Sequence, residues 1–299
     1  MYKIIENKKS WFILSSIFIF LSFFALLNWG LKLGIDFTGG SLLEISYEKK
    51  PEINKIEKVF KDLELNNVKI QPSETNKFIL RFENIDENIH QNIIKNLKEI
   101  EVENIEKNVF KELRFESIGP IIGQELKTKA IKAIIVVLIF IVLYIAYVFR
   151  KVSKPVASWK YGLSAIIALA HDLIIIIGIF SFLGYYFNIE INSLFVSALL
   201  TILGFSVHDT IVTFDRTREN LFKYHDKKFN EIVNLSVNET IIRSLNTSFT
   251  TLFVLLSIYI FGGESIKNFV LALILGVLIG TYSSIFIASP LLTWWNTKK

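Results

Sequence analysis

Six apolar segments, each nearly free of charge, constrain the fold of this chain more than any other feature. A helix needs about 20 apolar residues to cross the hydrocarbon core of a bilayer, and only helices or closed barrels satisfy their backbone hydrogen bonds there. The fifth segment is short by itself, so its helix is expected to begin near Val237 and to draw Arg243 into the membrane. We predict spans at 11–29, 130–149, 161–182, 193–214, 247–261 and 269–292.

Composition agrees with a polytopic α-helical membrane protein and excludes some chemistry. Of the 299 residues, 52% are hydrophobic, and none is cysteine. Disulfide bonds, thiolate metal sites and thiol catalysis are therefore excluded. The sequence has no Gly-x-x-x-x-Gly-Lys-[Ser/Thr] motif for a nucleotide and no His-x-x-x-His spacing for a metal. We expect no cofactor, no metal site and no enzymatic activity.

Lysine and arginine are distributed asymmetrically among the short segments that flank the spans. Segments 1–10, 150–160, 215–243 and 293–299 hold three, four, six and two of them, whereas 184–192 and 262–268 hold only Lys267. Because cytoplasmic loops are enriched in these residues, both termini are predicted to be cytoplasmic. The net charge of +5 thus indicates orientation and gives no reason to expect nucleic-acid binding.

Residues 30–128 form the one long water-compatible stretch, and its pattern predicts a small α+β domain on the outer, extracytoplasmic side. Alternating apolar residues predict strands, helical spacing predicts two amphipathic helices, and 73–76 is a turn. The order βαββαβ is that of a ferredoxin-like domain between spans 1 and 2. It would be preceded by a cytoplasmic N-terminus (1–10) and the first span, and followed by a five-span bundle (129–292) and a cytoplasmic tail (293–299). The predicted strands are 42–47, 68–70, 78–82 and 104–117, and the helices are 53–65 and 85–100.

Asp209 and His208 lie inside the fourth apolar segment, where an ionisable side chain is costly and usually functional. On a helix, Ser206, Asp209, Thr213 and Arg216 share one face, because they are three or four residues apart. This polar stripe indicates part of an ion path. Asp215 and Arg216 would mark its cytoplasmic exit.

Arg243 is the best candidate partner for Asp209, since it lies at a comparable depth in the fifth span. Such a pair could gain and lose a proton when its geometry shifts, or it could be a static interhelical ion pair. His171 and Asp172 are a second ionisable pair, in the third span. They could pass protons, or they could form a satisfied polar contact with a neighbouring helix.

Glycine occurs at both connections between the predicted domain and the membrane, in two segments that contain Asp36, Gly39 and Gly40, and Gly119 and Gly123. These segments could be hinges or ordinary tight turns. In the last span, small residues recur every four positions and include Gly276, Gly280 and Ser284, a pattern that allows close helix packing.

Seven short motifs together resemble the SecD/SecF protein-export family, which is related to the proton-driven RND transporters. The central motif, 204–219, reads Gly-Phe-Ser-Val-His-Asp-Thr-Ile-Val-Thr-Phe-Asp-Arg-Thr-Arg-Glu, and His208 replaces the Asn usual before the aspartate. The other six are at 34–40 (Gly-Ile-Asp-Phe-Thr-Gly-Gly), 117–120 (Ser-Ile-Gly-Pro), 168–172 (Ala-Leu-Ala-His-Asp), 243–248 (Arg-Ser-Leu-Asn-Thr-Ser), 261–263 (Phe-Gly-Gly) and 280–284 (Gly-Thr-Tyr-Ser-Ser).

The resemblance implies an auxiliary subunit of the Sec translocase that uses the proton-motive force to promote late steps of export across the cytoplasmic membrane. It implies pairing with SecD beside the SecYEG channel, with YajC and YidC as further partners, and contact with exported polypeptides and membrane lipid. In the family, the positions of Asp209 and Arg243 are implicated in proton conduction. Three alternatives remain at this point: a small-molecule efflux component of the same superfamily, an intramembrane aspartyl protease using Asp172 and Asp209, and a purely structural scaffold.

Overall fold

The computed structural model describes residues 2–65, 68–73, 76–100, 109–149 and 156–294. By its internal contacts the chain divides into two compact units, Met1–Lys32 with Ile131–Lys299, and Leu33–Ala130. Parts of five predicted segments lie outside the described residues: residue 1 of the N-terminal segment, 74–75 of the turn, 104–108 of the last strand, 150–155 of a basic loop, and 295–299 of the tail.

The described elements are numbered here in chain order. They are α1 (Lys8–Trp29), α2 (Ile35–Thr38), β1 (Gly40–Tyr47), α3 (Ile53–Asp62), β2 (Lys69–Ser73), β3 (Lys77–Phe82), α4 (Glu87–Lys98), β4 (Phe110–Ile118), α5 (Pro120–Val148), α6 (Ser158–Phe187), α7 (Ser193–Lys223), α8 (Phe229–Phe261), α9 (Glu264–Ser283), a π-helix (Ser284–Ala288) and α10 (Ser289–Trp294).

Six helical segments in the described part of the chain are long and apolar enough to cross a membrane, as the sequence predicted. They are α1, α5, α6, α7, α8 and the continuous helical segment Glu264–Trp294. Two boundaries follow from local chemistry. The Asn192 side chain caps α7 by accepting a hydrogen bond from the Phe195 backbone N–H at 3.1 Å, and Asn188 ends α6 in the left-handed conformation.

Several helices continue beyond the apolar segments that identified them. The fifth span begins at Phe229, eight positions before Val237, and the second begins at Pro120 instead of near 130. Pro120 suits a first helical position, where the missing N–H has no intrahelical partner to lose. Hydropathy therefore located the spans but not the polar turns that extend them.

The π-helix in the last span was not predicted. Its backbone widens the helix by one residue, and the Ser289 hydroxyl donates to the Ser284 carbonyl oxygen at 3.0 Å, five residues earlier. Local π-bulges of this kind are frequent at functional sites. This one is at Ser284, in the predicted small-residue stripe.

Aromatic side chains fill one part of the helical unit's core. Tyr161 stacks on Phe149 at 5.2 Å between ring centroids, and Phe214 meets both rings edge-on. Ile4 and Ile5, from the segment before α1, are buried in the same apolar cluster.

Two asparagines of α8 hold this N-terminal segment. Asn238 Oδ1 accepts from the Tyr2 backbone N–H at 2.6 Å, and Asn234 Oδ1 accepts from the Ile5 N–H at 3.2 Å. Both amides also donate to the Tyr2 carbonyl oxygen. The segment is thus fixed against α8 by backbone hydrogen bonds and two buried isoleucines.

The second unit is an antiparallel four-stranded sheet with strand order β2-β3-β1-β4 in the described residues. Inward-facing residues alternate along β1 and β3, as period-2 patterning requires. Ile56 and Phe60 of α3 and Ile93 and Leu97 of α4 complete the core. The Asp86 carboxylate caps α4 by accepting from the Ile89 N–H at 2.9 Å.

Candidate functional site

The polar stripe predicted on the fourth span lies on the buried face of α7. Ser206, Asp209 and Thr213 are each at most 3% exposed. Three further polar residues of α7, not singled out from the sequence, are buried with them: Thr210, Thr217 and Asn220. The helix therefore carries a continuous polar face into the interior of the bundle.

Asp209 is the ionisable group of this face, and its Oδ2 atom has no hydrogen-bond partner in the described residues. Its electrostatic neighbours are His208, Ser244 and Arg243. Ser244 is buried in α8 beside the carboxylate. A buried carboxylate oxygen without a partner is costly and calls for an explanation.

Arg243 is close enough to act on Asp209 electrostatically, but no ion pair within 4.0 Å joins these two described residues. Both Arg243 and His208 are exposed on the surface of the helical unit. Consecutive helical residues are about 100° apart around the axis, so Ser244 faces inward while Arg243 faces outward. The predicted partners are therefore neighbours without direct contact in this conformation.

Asp172 is the most completely bonded ionisable group in the described bundle interior. Its Oδ1 pairs with His171 Nδ1 at 2.9 Å, and its Oδ2 accepts from the hydroxyls of Ser206 at 2.6 Å and Ser283 at 2.7 Å. The carboxylate thus joins α6, α7 and α9. Ser283 was not among the predicted site residues, since its contact depends on how three helices are rotated.

Hydroxyl groups connect neighbouring helices along the same face of α7. Thr210 Oγ1 donates to Ser284 Oγ at 3.1 Å, and Thr213 Oγ1 lies 3.2 Å from Thr240 Oγ1 on α8. Ser284 Oγ lies 3.2 Å from the Ser206 carbonyl oxygen, so the π-helix touches the polar stripe. Because a hydroxyl group can both donate and accept a hydrogen bond, these groups can link the helices in a hydrogen-bonded chain across the bundle.

The predicted exit is a charged cluster that joins α7 to α8. Arg216 binds Glu239 at 2.6 Å and Glu219 at 2.7 Å, and Asn220 donates to Glu239 at 2.7 Å. Asp215 pairs with Arg218 at 2.7 Å on the same helix. Glu239 was missed in the sequence because only the antiparallel register of α7 and α8 brings it to Arg216.

The two glycine segments predicted as hinges pack against each other within the small unit. Gly39 and Gly40 have positive φ angles of 73° and 119°, which favour glycine. A Cβ atom on Gly39 would lie 2.8 Å from Pro120 Cα, and one on Gly123 would lie 2.9 Å from the Gly39 nitrogen. Gly123 is inside α5, and Asp36 is inside α2. Gly39 and Gly123 thus lie in close-packed backbone contacts. Gly119, by contrast, has nothing within 4 Å of an added Cβ atom.

The small-residue stripe of the last span packs on α7. A Cβ atom on Gly276 would overlap the Ile202 side chain, and one on Gly280 would lie 2.9 Å from Ser206 Cβ. Ser284 continues this contact through its hydrogen bonds. The glycines therefore let α9 approach the polar stripe closely.

Among the described residues, no group of three or more His, Cys, Asp or Glu side chains could hold a metal ion.

Comparison with protein families places these features in a known context. The family model described as "Protein export membrane protein SecD/SecF, C-terminal" matches residues 92–298, more than half of the chain, and the SecD/SecF GG motif matches residues 24–51. The chain belongs to the SecD/SecF family. The GG motif match includes Gly39 and Gly40, and the C-terminal match includes Asp172, Asp209 and Arg243.

Curated SecD/SecF relatives match over nearly their whole length. The protein translocase subunit SecF of Thermobaculum terrenum is 42% identical over 311 residues, with 100% of this chain and 95% of the relative covered. That of Sebaldella termitidis is 38% identical over 295 residues, with 97% and 90% covered. These names support an auxiliary role in the Sec translocase, and they do not support the efflux or protease alternatives.

Two solved structures of the family are similar. The crystal structure of SecDF, a translocon-associated membrane protein from Thermus thermophilus, has a TM-score of 0.82 and 28% identity. SecDF in the super-membrane-facing form has a TM-score of 0.67 and 28% identity. Each match covers 99% of this chain and 39% of the SecDF chain. The chain is thus a multi-pass protein of the bacterial inner membrane that spans about two fifths of the SecDF chain it resembles.

Proposed function

We propose that this chain, in complex with SecD, uses the proton-motive force to promote late steps of protein export through the Sec translocase. The observation that carries the proposal is Asp209, a buried carboxylate with an unpartnered oxygen on a polar face of α7. The face leads toward the Arg216–Glu239 cluster. A buried acid that lacks a complete set of donors is suited to bind and release a proton as its surroundings change.

Arg243 and His208 would modulate this acid from the exposed face of the helical unit. Since Arg243 acts on Asp209 without touching it, a modest helix movement could bring the guanidinium closer or remove it. The charge on the acid would then depend on conformation, and proton uptake would be coupled to movement. His171 and Asp172 would form a second station beside Ser206, and Asp215 and Arg216 the cytoplasmic exit.

This chain matches only 39% of the SecDF chain. The unmatched part of SecDF supports SecD as the partner of this chain. The lipid-accessible surface offers an interface, since α5 and α8 carry many exposed apolar side chains, including Phe140, Phe249 and Phe253. The SecYEG channel, YajC, YidC and the exported polypeptide are further partners in this proposal, with lipid covering the rest. The proton-motive force is the energy source: one charge crossing 100 mV releases about 2.3 kcal/mol.

The sheet order β2-β3-β1-β4 supports a ferredoxin-like fold for residues 33–130, reached in the order βαββαβ. The distribution of Lys and Arg supports an extracytoplasmic position for this domain, with both termini in the cytoplasm. The glycine segments would then lie where the domain joins α1 and α5. Because the two segments pack closely on each other, we expect them to move together as one joint and not as two independent hinges.

Asp209→Asn tests the proposal. It keeps the side-chain size and removes the proton-binding group, so the export component that depends on the gradient should fall to background. The measurement is translocation into vesicles containing the SecD complex and SecYEG, at constant ATP, with the proton gradient present or collapsed. Asp226→Asn, in the exposed α7–α8 loop, is the matched control and should behave as wild type.

Assembly must be measured in the same samples by co-purification with SecD. Complex formation with loss of gradient-dependent export is the expected result for Asp209→Asn. Full gradient-dependent export by this variant would refute the proposal and would favour the alternative that the chain is a purely structural scaffold.

A further inference from the structure

The imidazole of His171 is buried in α6 and uses its two nitrogens differently. Nδ1 lies 2.9 Å from Asp172 Oδ1, whereas Nε2 has no hydrogen-bond partner in the described residues. The ring is 3% exposed. A buried ring nitrogen without a partner is exceptional, because nearly all buried polar groups are hydrogen-bonded.

Two serines fix the orientation of the neighbouring carboxylate. Ser206 of α7 and Ser283 of α9 both donate to Asp172 Oδ2. With Oδ2 engaged from two other helices, Oδ1 is the oxygen that faces His171. If Asp172 is ionised, its carboxylate can only accept hydrogen bonds. Nδ1 then carries the proton and Nε2 keeps its lone pair.

The other groups around the ring leave this assignment intact. Tyr282 of α9 stacks on it, with ring centroids 6.2 Å apart, and its hydroxyl lies 3.0 Å from Ser15 Oγ on α1. On α7, the Ser206 hydroxyl donates to Asp172 and not to the ring. The titratable groups with a described contact to the imidazole are Asp172 and Tyr282.

We propose that His171 Nε2 is a proton-accepting atom of the relay and that Asp172 is the positioning residue that fixes its tautomer. This rests on the proposed function and assigns separate roles to two members of the relay. Uptake adds a proton from water to the Nε2 lone pair, forming one N–H bond and an imidazolium balanced by the Asp172 carboxylate. Release breaks the same bond and returns the proton to water.

The tautomer can be read directly from ¹⁵N chemical shifts. The full chain would be labelled at its four histidines, reconstituted in lipid vesicles and measured by solid-state NMR, with His171→Gln identifying the signal. At a pH where the ring is neutral, the Nδ1–H form should dominate in wild type. Dominance of the Nε2–H form would overturn the proposal.

Asp172→Asn should invert the tautomer. The two serine donors would hold the amide carbonyl in the place of Oδ2, so the amide NH₂ would face Nδ1 and donate to it. The ring proton must then move to Nε2. An unchanged tautomer in this variant would refute the positioning role, and Asp226→Asn should leave the His171 shifts as in wild type.

A triple variant separates orientation from simple structural damage. Adding Ser206→Ala and Ser283→Ala to Asp172→Asn removes both donors that hold the amide, which can then turn its carbonyl oxygen toward Nδ1. The Nδ1–H form should return to the majority. If the Nε2–H form persists, the serines do not set the orientation and the proposed role of Asp172 is wrong.

Transport assays distinguish this inference from the proposed function. His171→Gln should lower gradient-driven translocation and change its pH profile, whereas Asp209→Asn should abolish gradient-driven translocation without altering the His171 tautomer. An unchanged pH profile in His171→Gln, beside an inactive Asp209→Asn, would refute the role of His171 alone. Full activity of Asp209→Asn would refute the proposed function and leave the tautomer assignment standing.

Discussion

Gly178 is a position where two membrane helices approach each other backbone to backbone. A Cβ atom there would lie 2.3 Å from Ser22 Cβ and 2.5 Å from Ser22 Cα, so backbone meets backbone between α6 and α1. Lipid provides no hydrophobic drive for helix association, and close packing through small residues takes its place. The sequence pattern indicated the glycines of the last span but not this one, because Gly178 has no small residue four positions before or after it.

Gly178→Ala should therefore destabilise the protein by about 1–3 kcal/mol, since the backbone of Ser22 cannot move aside as a side chain could. Thermal unfolding in detergent would measure the effect. Gly204→Ala is the matched control: it is also a helical glycine, but nothing lies within 4 Å of its added Cβ. The control should be neutral or stabilising by up to about 1 kcal/mol, from helix propensity. Equal losses of stability in both variants would show that the close contact between α1 and α6 does not cause the destabilisation.

Side-chain identity predicted the candidate site better than it predicted the contacts within it. Asp209, Asp172 and His171 stand out in the sequence because charge is rare at membrane depth. Ser283 and Glu239 do not, since serine is common in these helices and Glu239 resembles any solvated acid. Their roles depend on the rotation and register of packed helices, which no single segment of sequence specifies.

In the sheet-containing unit, His90 of α4 makes a polar contact with β4. Its Nε2 lies 3.0 Å from Glu112 Oε1, its Nδ1 lies 3.2 Å from Glu87 Oε1, and its ring stacks on Phe115 with centroids 3.7 Å apart. Gln91 and His90 donate hydrogen bonds that hold the pKa of Glu87 below its usual value of 4.5. The first turn of α4 thus carries an ionised carboxylate bonded to His90, the residue that contacts the sheet through Glu112.

This contact predicts an acid-sensitive α4. A carboxyl group with a depressed pKa contributes stability that is complete above its unfolded value and is lost as the pH falls through its folded value. Protection of α4 amides should therefore stay constant from neutral pH to about 4.5 and decline below it. Hydrogen exchange of the full chain, corrected for intrinsic rates, would measure this.

Glu87→Gln should reduce that decline, because the substituted side chain does not titrate. Glu57→Gln, at an exposed position of α3, should retain it. An identical decline in all three proteins would show that Glu87 does not contribute to the acid response of α4.

Secondary structure at the scale of elements followed closely from the sequence. Period-2 and helical spacing predicted β1, β3, α3 and α4 to within a few residues, since each must bury one face. The π-helix was missed. The N-terminal extensions of α5 and α8 were also missed, because they contain charged residues and fall outside the uncharged apolar runs that located the spans.

At the scale of the whole molecule, the distribution of charge predicts how the chain lies in the membrane. The absence of cysteine allows a direct test, since single cysteines can be introduced without removing native ones. Asp226→Cys, in the loop between α7 and α8, should react only with reagents supplied from the cytoplasm. Glu57→Cys, on α3, should react only from outside.

Labelling of intact cells and of inverted vesicles with a membrane-impermeant maleimide would measure both positions. The reverse pattern would show that the orientation derived from Lys and Arg is wrong. Labelling of both positions from the cytoplasmic side alone would place the sheet-containing unit in the cytoplasm.

The N-terminal segment has a consequence for how the molecule is made. Tyr2 and Ile5 bind asparagines that lie 236 and 229 positions later in the chain. A ribosome produces these residues long before it produces α8, so they remain without these partners until the fifth span has been made. Closure of this segment is then one of the last events of biogenesis, and a bulky N-terminal fusion would interfere with maturation more than the same fusion at the other end.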